Sequence, residues 1–434
     1  MHLYFCHKRS LVKRTCYFLL ALILGSSCGN VKSEKKNDNE SSFVYTIPEP
    51  AAISDKEKAR YEAMLESFFD SALFRRGFNG GVLVAKEGQI LYEKYVGYRD
   101  LRTKDPLTDT TSLHLASTSK PFTGMAVLKL VQDGKVSLDD SLTKFFPELA
   151  HYPGITLRML LSHRSGLPNY VYFMADKTKW DQNVYVTNED MLKFLVNEKP
   201  ARSFTPGSRF SYSNTNYVLL AMLIEKVSGM SYPEFMKKEL FEPMQLNHTY
   251  VFTLKDSSTA TPSFDPNGGF WKNDFLEGTY GDKNIYSTPR DLLRWDQVLY
   301  TGKFIRQSLL DSAFTGQSRE RNSLHNYGLG WRLLEYPNGK KIVYHFGRWH
   351  GFTPAFARLI DEKVTIIILG NKFNRSIYQA AHKAYGLFGA YDGRTGGEDQ
   401  ESSTESTAPP PRPAKTKESP KKKEPAKKAV RRKG

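Results

Sequence analysis

The chain has 434 residues, 40% hydrophobic and 25% charged, a globular composition with length for one large domain or two ordinary ones. The formal net charge of +16 is local: residues 411–434 carry eleven Lys or Arg against two Glu, and Lys8, Arg9, Lys13 and Arg14 add to it at the start. The stretch between is close to neutral, so the charge carries little information about a substrate. All three cysteines, Cys6, Cys16 and Cys28, precede residue 30, which excludes a disulfide, a thiolate metal site or a cysteine nucleophile in the body.

Residues 1–28 read as an export signal: a basic start, the apolar run CYFLLALIL over 16–24, then Gly25, Ser26, Ser27 and Cys28. The run is too short for a permanent membrane span. Its ending resembles a bacterial lipobox, in which the cysteine is lipidated. Cys28 is therefore the expected lipidation site, followed by a polar tether over 29–53. The expected location is the bacterial cell envelope, lipid-anchored and facing the periplasm or exterior; the alternative is secretion.

Residues 54–74 have helical spacing of apolar side chains (Tyr61, Met64, Leu65, Phe68, Phe69, Leu73), with Ser54 placed to cap them. Residues 80–97 alternate around Glu87 and Gly88, a hairpin pattern. An apolar helix over 121–131 ends at Asp133 and Gly134. Further helices are predicted over 188–197, 215–229 and 288–300, with Gly229 suited to a C-terminal cap. Strands return over 330–335, 341–345, 356–360 and 364–369, and a helix over 376–388 closes the body. Two early strands and several late ones predict an α+β fold. One antiparallel sheet, from about 54–116 and 300–390, stands beside an all-α lobe over about 117–300, in a domain of residues 54–390. The tail, 391–434, is polar and Pro/Lys-rich and is expected to be disordered.

Ser117 and Lys120 form an S-x-x-K pattern at the start of the 121–131 helix. Three apart at a helix start, they share one side. Burial can depress a lysine until its amine accepts a serine proton, and first-turn N–H groups offer donors to an oxyanion. The pattern is cheap, for Ser33–Lys36 and Ser419–Lys422 also match it. Of these three copies, the one at Ser117 has an apolar helix behind it. Tyr212-Ser213-Asn214 precedes the 215–229 helix; a tyrosine beside a cation can relay a proton, and Asn can orient an amide or simply cap the helix. His345-Phe346-Gly347 ends a late strand. No G-x-S-x-G elbow, H-E-x-x-H or P-loop occurs, and the histidines lack metal-ligand spacing, so no metal or cofactor is expected.

Taken together, residues 56–388 resemble the class C β-lactamase and DD-peptidase family, in which penicillin-binding proteins also fall. Ser117-x-x-Lys120, Tyr212-x-Asn214 and His345-x-Gly347 match its three motifs in order. Residues 130–147, 155–168, 204–219 and 281–295 resemble it too. The resemblance implies a five-stranded antiparallel sheet flanked by helices, with the active site at its junction with the helical lobe. It also implies roles. Ser117 would form an acyl-enzyme, Lys120 and Tyr212 would move its proton, and His345 would tune Tyr212. Asn214 would hold the substrate amide. Gly347 belongs to the motif at the strand end, and the backbone N–H groups of Ser117 and Arg348 would bind the oxyanion.

Two positions depart from the β-lactamase pattern: His345 replaces a lysine and Phe346 replaces a hydroxyl that helps hold a substrate carboxylate. Arg348 is a candidate for the missing cation. The expected reaction is acyl transfer on an ester, amide or peptide bond of a small-molecule or peptide substrate, with esterase or D-amino-acid peptidase action ahead of potent β-lactamase action. The alternative is a non-catalytic binder of peptidoglycan peptides or of a partner. The other expected partners are the membrane, through the lipid anchor, and anionic envelope polymers bound weakly by the basic tail; nucleic acid is not expected.

Overall fold

The computed structural model describes residues 43–391 except 319, 321 and 322. The expected export signal with Cys28, the first part of the expected tether and the tail from residue 392 lie outside the described residues. Residues 43–53, counted with the tether in the sequence, run without regular structure along the body. Tyr45 is buried there, its ring edge-on to Phe304 with centroids 5.7 Å apart. No helix among the described residues is long and apolar enough to cross a membrane.

The main sheet has seven strands: β1 (Gly80–Lys86), β2 (Gln89–Val96), β3 (His325–Tyr327), β4 (Arg332–Glu335), β5 (Lys341–Phe346), β6 (Ala355–Leu359) and β7 (Val364–Gly370). Their order is β3-β4-β5-β6-β7-β1-β2, with every pair antiparallel. The early hairpin joins the late meander through β1 and β7, in register from Gly80 opposite Gly370 to Lys86 opposite Val364. Glu87 and Gly88 both take positive φ, as a two-residue hairpin turn requires. The five strands implied by resemblance are thus seven here. Six follow the alternating segments of the sequence, and the seventh, β3, is a three-residue edge strand too short to leave a pattern.

Alternation along the strands gives the sheet two apolar faces. On one, Val82, Val84, Ile366 and Ile368 pack with Leu65 and Phe69 of α1 (Asp55–Ala72) and with Ile377 and Ala381 of α6 (Ser376–Tyr385). Ser54 caps α1, accepting the Glu57 N–H at 3.2 Å. On the other, Leu83, Val343, Phe356 and Ile367 join the larger core with α2 (Lys120–Gln132), α3 (Asn188–Glu198), α4 (Thr215–Ser228) and α5 (Pro289–Tyr300). Phe122 of α2 stacks on Trp295 of α5 at 3.7 Å between centroids. α2 and α4 are apolar nearly all round because core surrounds them.

One ion pair is sunk in this layer. Asp296 of α5 and Arg358 of β6 are both buried and directly hydrogen-bonded, and Thr365 of β7 donates to the second Asp296 oxygen at 2.6 Å. Removing one member leaves an uncompensated buried charge. Asp296→Ala is expected to lower the unfolding free energy by about 3–5 kcal/mol, measured by urea denaturation; a loss below about 1 kcal/mol contradicts this reading of the pair.

Candidate active site

The chain enters the site along Leu113–His114 and turns into a 3-10 turn, Ala116–Ser119, that runs directly into α2. Ala116 takes φ +46°, a left-handed conformation unusual for a residue with a side chain. The buried His114 ring holds the bend: its Nδ1 accepts the Ala116 N–H at 2.9 Å and its Nε2 meets Asn284 Oδ1 at 2.8 Å. The bend sets Ser117 at the mouth of α2, with Lys120 one turn on.

Ser117 and Lys120 are both buried. The Lys120 amine donates to Ser117 Oγ at 3.0 Å and to the Asp282 carbonyl at 2.9 Å. It also lies over the ring of Tyr212, 4.8 Å from the centroid, and over that of Tyr217 at 5.7 Å. Two acceptors and two aromatic faces fix the amine in place.

Tyr212 sits in the loop that leads to Asn214, the N-cap residue of α4. Asn214 is buried; its backbone N–H donates to Asn169 Oδ1 at 3.2 Å and its side chain makes no cap bond. The Tyr212 ring is enclosed by Lys120, by the Arg332 guanidinium carbon at 5.3 Å and by the His163 ring at 4.1 Å. His345 lies 6.5 Å away, ring to ring.

His345 is the penultimate residue of β5, and strand alternation decides what it faces. Its neighbours Tyr344 and Phe346 point to the outer layer, where Phe346 stacks on Tyr378 with centroids 5.6 Å apart. His345 points inward and is fully buried. Its Nδ1 lies 2.7 Å from the Phe346 carbonyl, which can only accept, so Nδ1 carries the proton and Nε2 accepts from the Tyr327 hydroxyl at 3.1 Å. Burial first, then the Arg332 and Lys120 cations, hold its pKa well below the usual histidine value, so the ring is neutral.

Gly347 follows directly. A Cβ there would stand 2.7 Å from Ser117 N, 2.8 Å from the Leu115 carbonyl oxygen and 3.0 Å from Ala116 Cβ. The end of β5 is therefore pressed against the serine turn, a closeness that glycine permits. The Gly347 carbonyl accepts from Tyr378 Oη at 2.6 Å, and its N–H donates to Pro354 at 3.0 Å. The Arg348 side chain is buried, its guanidinium carbon 4.7 Å over the Phe373 ring.

The structure thus gathers Ser117, Lys120, Tyr212, His345 and Gly347. Asn214 lies two residues beyond Tyr212, and Phe346 faces the outer layer. Sequence reasoning passed over His163, Arg332, Tyr327 and the Asp282 carbonyl. His163 falls in the 155–168 stretch quoted for the resemblance, but a single histidine after an apolar run carries no signal of its own. Tyr327 lies on the edge strand β3 and Arg332 opposite it on β4, where nothing local says what they face. One group with metal-ligating side chains exists among the described residues: Asp274, Glu277 and His350, whose ligand atoms lie within 4.8 Å of one another. Glu277 Oε1 already accepts from Trp349 Nε1 at 2.8 Å and meets His350 Nε2 at 2.6 Å, so hydrogen bonds within the protein satisfy it.

Two measurements check this geometry. Gly347→Ala forces the strand end off the serine turn and is expected to cost about 1–3 kcal/mol in urea denaturation; an unchanged midpoint contradicts the close contact. Burial drives the pKa of His114 down to about 4 and holds those of His163 and His345 well below 6.5. The unfolded chain takes up these protons near pH 6.5 and the folded one does not. Their contribution is therefore complete above that pH and is lost as pH falls, by up to about 1.4 kcal/mol per pH unit for each ring. The urea midpoint should drop from pH 7 to pH 5, and less steeply in His345→Gln; equal slopes contradict a buried neutral His345.

Residues 65–388 match the family model described as Beta-lactamase. A penicillin-binding protein of Bacillus subtilis (strain 168) is 35% identical over 336 residues, covering 73% of each chain. Among solved structures, an octameric penicillin-binding protein homologue from Pyrococcus abyssi superposes with a TM-score of 0.65 at 28% identity, over 75% of this chain and 77% of that one. A D-amino acid amidase from Ochrobactrum anthropi SV3 shares the fold, with a TM-score of 0.62 at 22% identity over 75% of this chain and 98% of that one. The α+β sheet-and-helix architecture and these matches agree, and the chain belongs to the Beta-lactamase family of serine hydrolases related to penicillin-binding proteins.

Proposed function

We propose that this protein is an exported serine acyltransferase that cleaves an ester, amide or peptide bond through an acyl-enzyme on Ser117. The observation that carries the proposal is the 3.0 Å contact of the Lys120 amine with Ser117 Oγ, in a buried site closed by Tyr212. Lys120, acting as the uncharged amine, takes the serine proton and becomes the ammonium as Oγ attacks the carbonyl carbon. The backbone N–H groups at Ser117 and Arg348 receive the negative charge that develops on the carbonyl oxygen. Tyr212, with Lys120 and Arg332 close to its ring, carries the proton to the leaving group, and the same groups run in reverse to activate the water that releases the acyl chain. Asn214 holds the substrate amide. His345, a neutral ring 6.5 Å from that of the tyrosine, bounds its surroundings without adding charge.

The substrate is a neutral ester or amide, or a D-amino-acid peptide, rather than a β-lactam turned over efficiently. Two features favour this. The position where β-lactamases of this type carry a lysine holds a neutral histidine, and the next side chain, Phe346, faces the outer layer. The Arg348 guanidinium lies over Phe373, which weakens the case for it as a carboxylate clamp. The export signal and Cys28 favour a lipid-anchored place in the cell envelope, where the basic tail would meet anionic polymers.

A fluorophosphonate or fluorescent penicillin should label the protein, and Ser117→Ala should abolish labelling. Lys120→Ala should lower turnover of p-nitrophenyl esters by about 100-fold or more. Undiminished labelling of Ser117→Ala sinks the assignment. A kcat/KM for penicillins above that for esters and D-alanyl peptides overturns the substrate reading.

A further inference from the structure

Tyr212 belongs to no helix or strand, yet its hydroxyl must be held to a fraction of an ångström if it is to pass a proton. His163 touches each of three consecutive residues around it. The His163 carbonyl accepts the Ser211 N–H at 2.9 Å, its Nδ1 accepts the Ser213 N–H at 3.1 Å, and its ring lies against the Tyr212 ring at 4.1 Å and 31°. We propose that His163 is the positioning residue for Tyr212, a clamp that sets the depth and tilt of the tyrosine by gripping the loop on both sides of it. The proposal rests on the reading of Tyr212 as the proton carrier.

The clamp is built at some cost. His163 is fully buried and takes φ +56°, a left-handed conformation that a ring-bearing residue seldom adopts. The segment is anchored from behind: Asn216 Nδ2 approaches His163 Nδ1 at 3.3 Å, and Asn216 Oδ1 accepts from Ser165 Oγ at 2.7 Å. Because Nδ1 accepts an amide N–H, the proton of the neutral ring is on Nε2, which meets no hydrogen-bond partner among the described residues. Protonation of Nδ1 would break the grip on Ser213. Burial, and then the positive charge of Lys120 and Arg332 nearby, keep that from happening. A ring used only for packing needs neither the acceptor nor the left-handed bend; both serve the two N–H groups that flank Tyr212.

The two halves of the clamp can be separated. His163→Phe keeps a ring against Tyr212 and removes the Nδ1 acceptor. His163→Asn suits the left-handed backbone and offers an oxygen near the Nδ1 position, but removes the ring. Each variant is made in the natural chain and in Tyr212→Phe, with activated aryl esters as substrate. In the natural background each should lower kcat by about 10–100-fold, the scale of a misplaced catalytic group, with KM within about threefold. In the Tyr212→Phe background the same changes should cost less than about threefold, since there is no hydroxyl left to misplace. Fluorophosphonate labelling of Ser117 should persist in all of them, which confirms a folded site. Equal losses in both backgrounds, or no loss in either, overturn the proposal. If His163→Phe does not fold, the Asn variant decides by the same comparison. Failure of the unmutated protein to label or turn over refutes the parent reading instead, a distinct outcome.

Discussion

The site depends on how closely the end of β5 approaches the mouth of α2. Gly347 and Ser117 belong to distant parts of the chain, and a single added methyl group would bring them to 2.7 Å. That contact joins the meander of the sheet to the helical core. It sets the strand-end backbone beside the serine, and by strand alternation it turns His345 inward and Phe346 outward. The bend at Ala116 and the His114 ring beneath it hold the serine turn from the opposite side. Once these pieces are fixed, Lys120 needs no further guidance, because one helical turn delivers its amine to Ser117.

Charge in this region is distributed sparingly. Lys120 and Arg332 both stand within 5.3 Å of the Tyr212 ring centroid, and the two nearest histidines, His163 and His345, are kept neutral by burial and by those same cations. A further positive ring would repel both cations and remove the acceptors that hold Ser213 and Tyr327. Neutral histidines therefore act as shaped hydrogen-bonding walls, and the tyrosine is left as the group best placed to respond to the cations. The buried Asp296–Arg358 pair lies in the same layer and shows a different solution, in which opposite charges are matched within the protein.

Much of this was legible in the sequence because it is periodic or local. The seven-stranded sheet contains the six strands read from alternation, and the helices at 55–72, 120–132, 215–228 and 289–300 follow their apolar spacing closely. Ser117 and Lys120 share a helix turn, so their proximity could be deduced from spacing alone. What was not legible depends on the tertiary approach of remote segments. Nothing around Arg332 or Tyr327 indicates that β3 and β4 face the tyrosine loop, and nothing around His163 indicates a left-handed bend. The outward turn of Phe346 was not foreseen either: the motif names three residues in a row, whereas the strand admits only alternate ones to one face. β3 is too short to carry a pattern.

The central claim is geometric: one carbonyl oxygen must fit between the serine turn and the strand end while its carbon bonds to Ser117. The most direct measurement is a crystal structure of the protein after reaction with an aryl phosphonate. The account predicts a single covalent bond to Ser117 Oγ and one phosphonyl oxygen within about 3 Å of the backbone nitrogens of both Ser117 and Arg348. An adduct on another residue, or a phosphonyl oxygen turned away from both nitrogens, would contradict it.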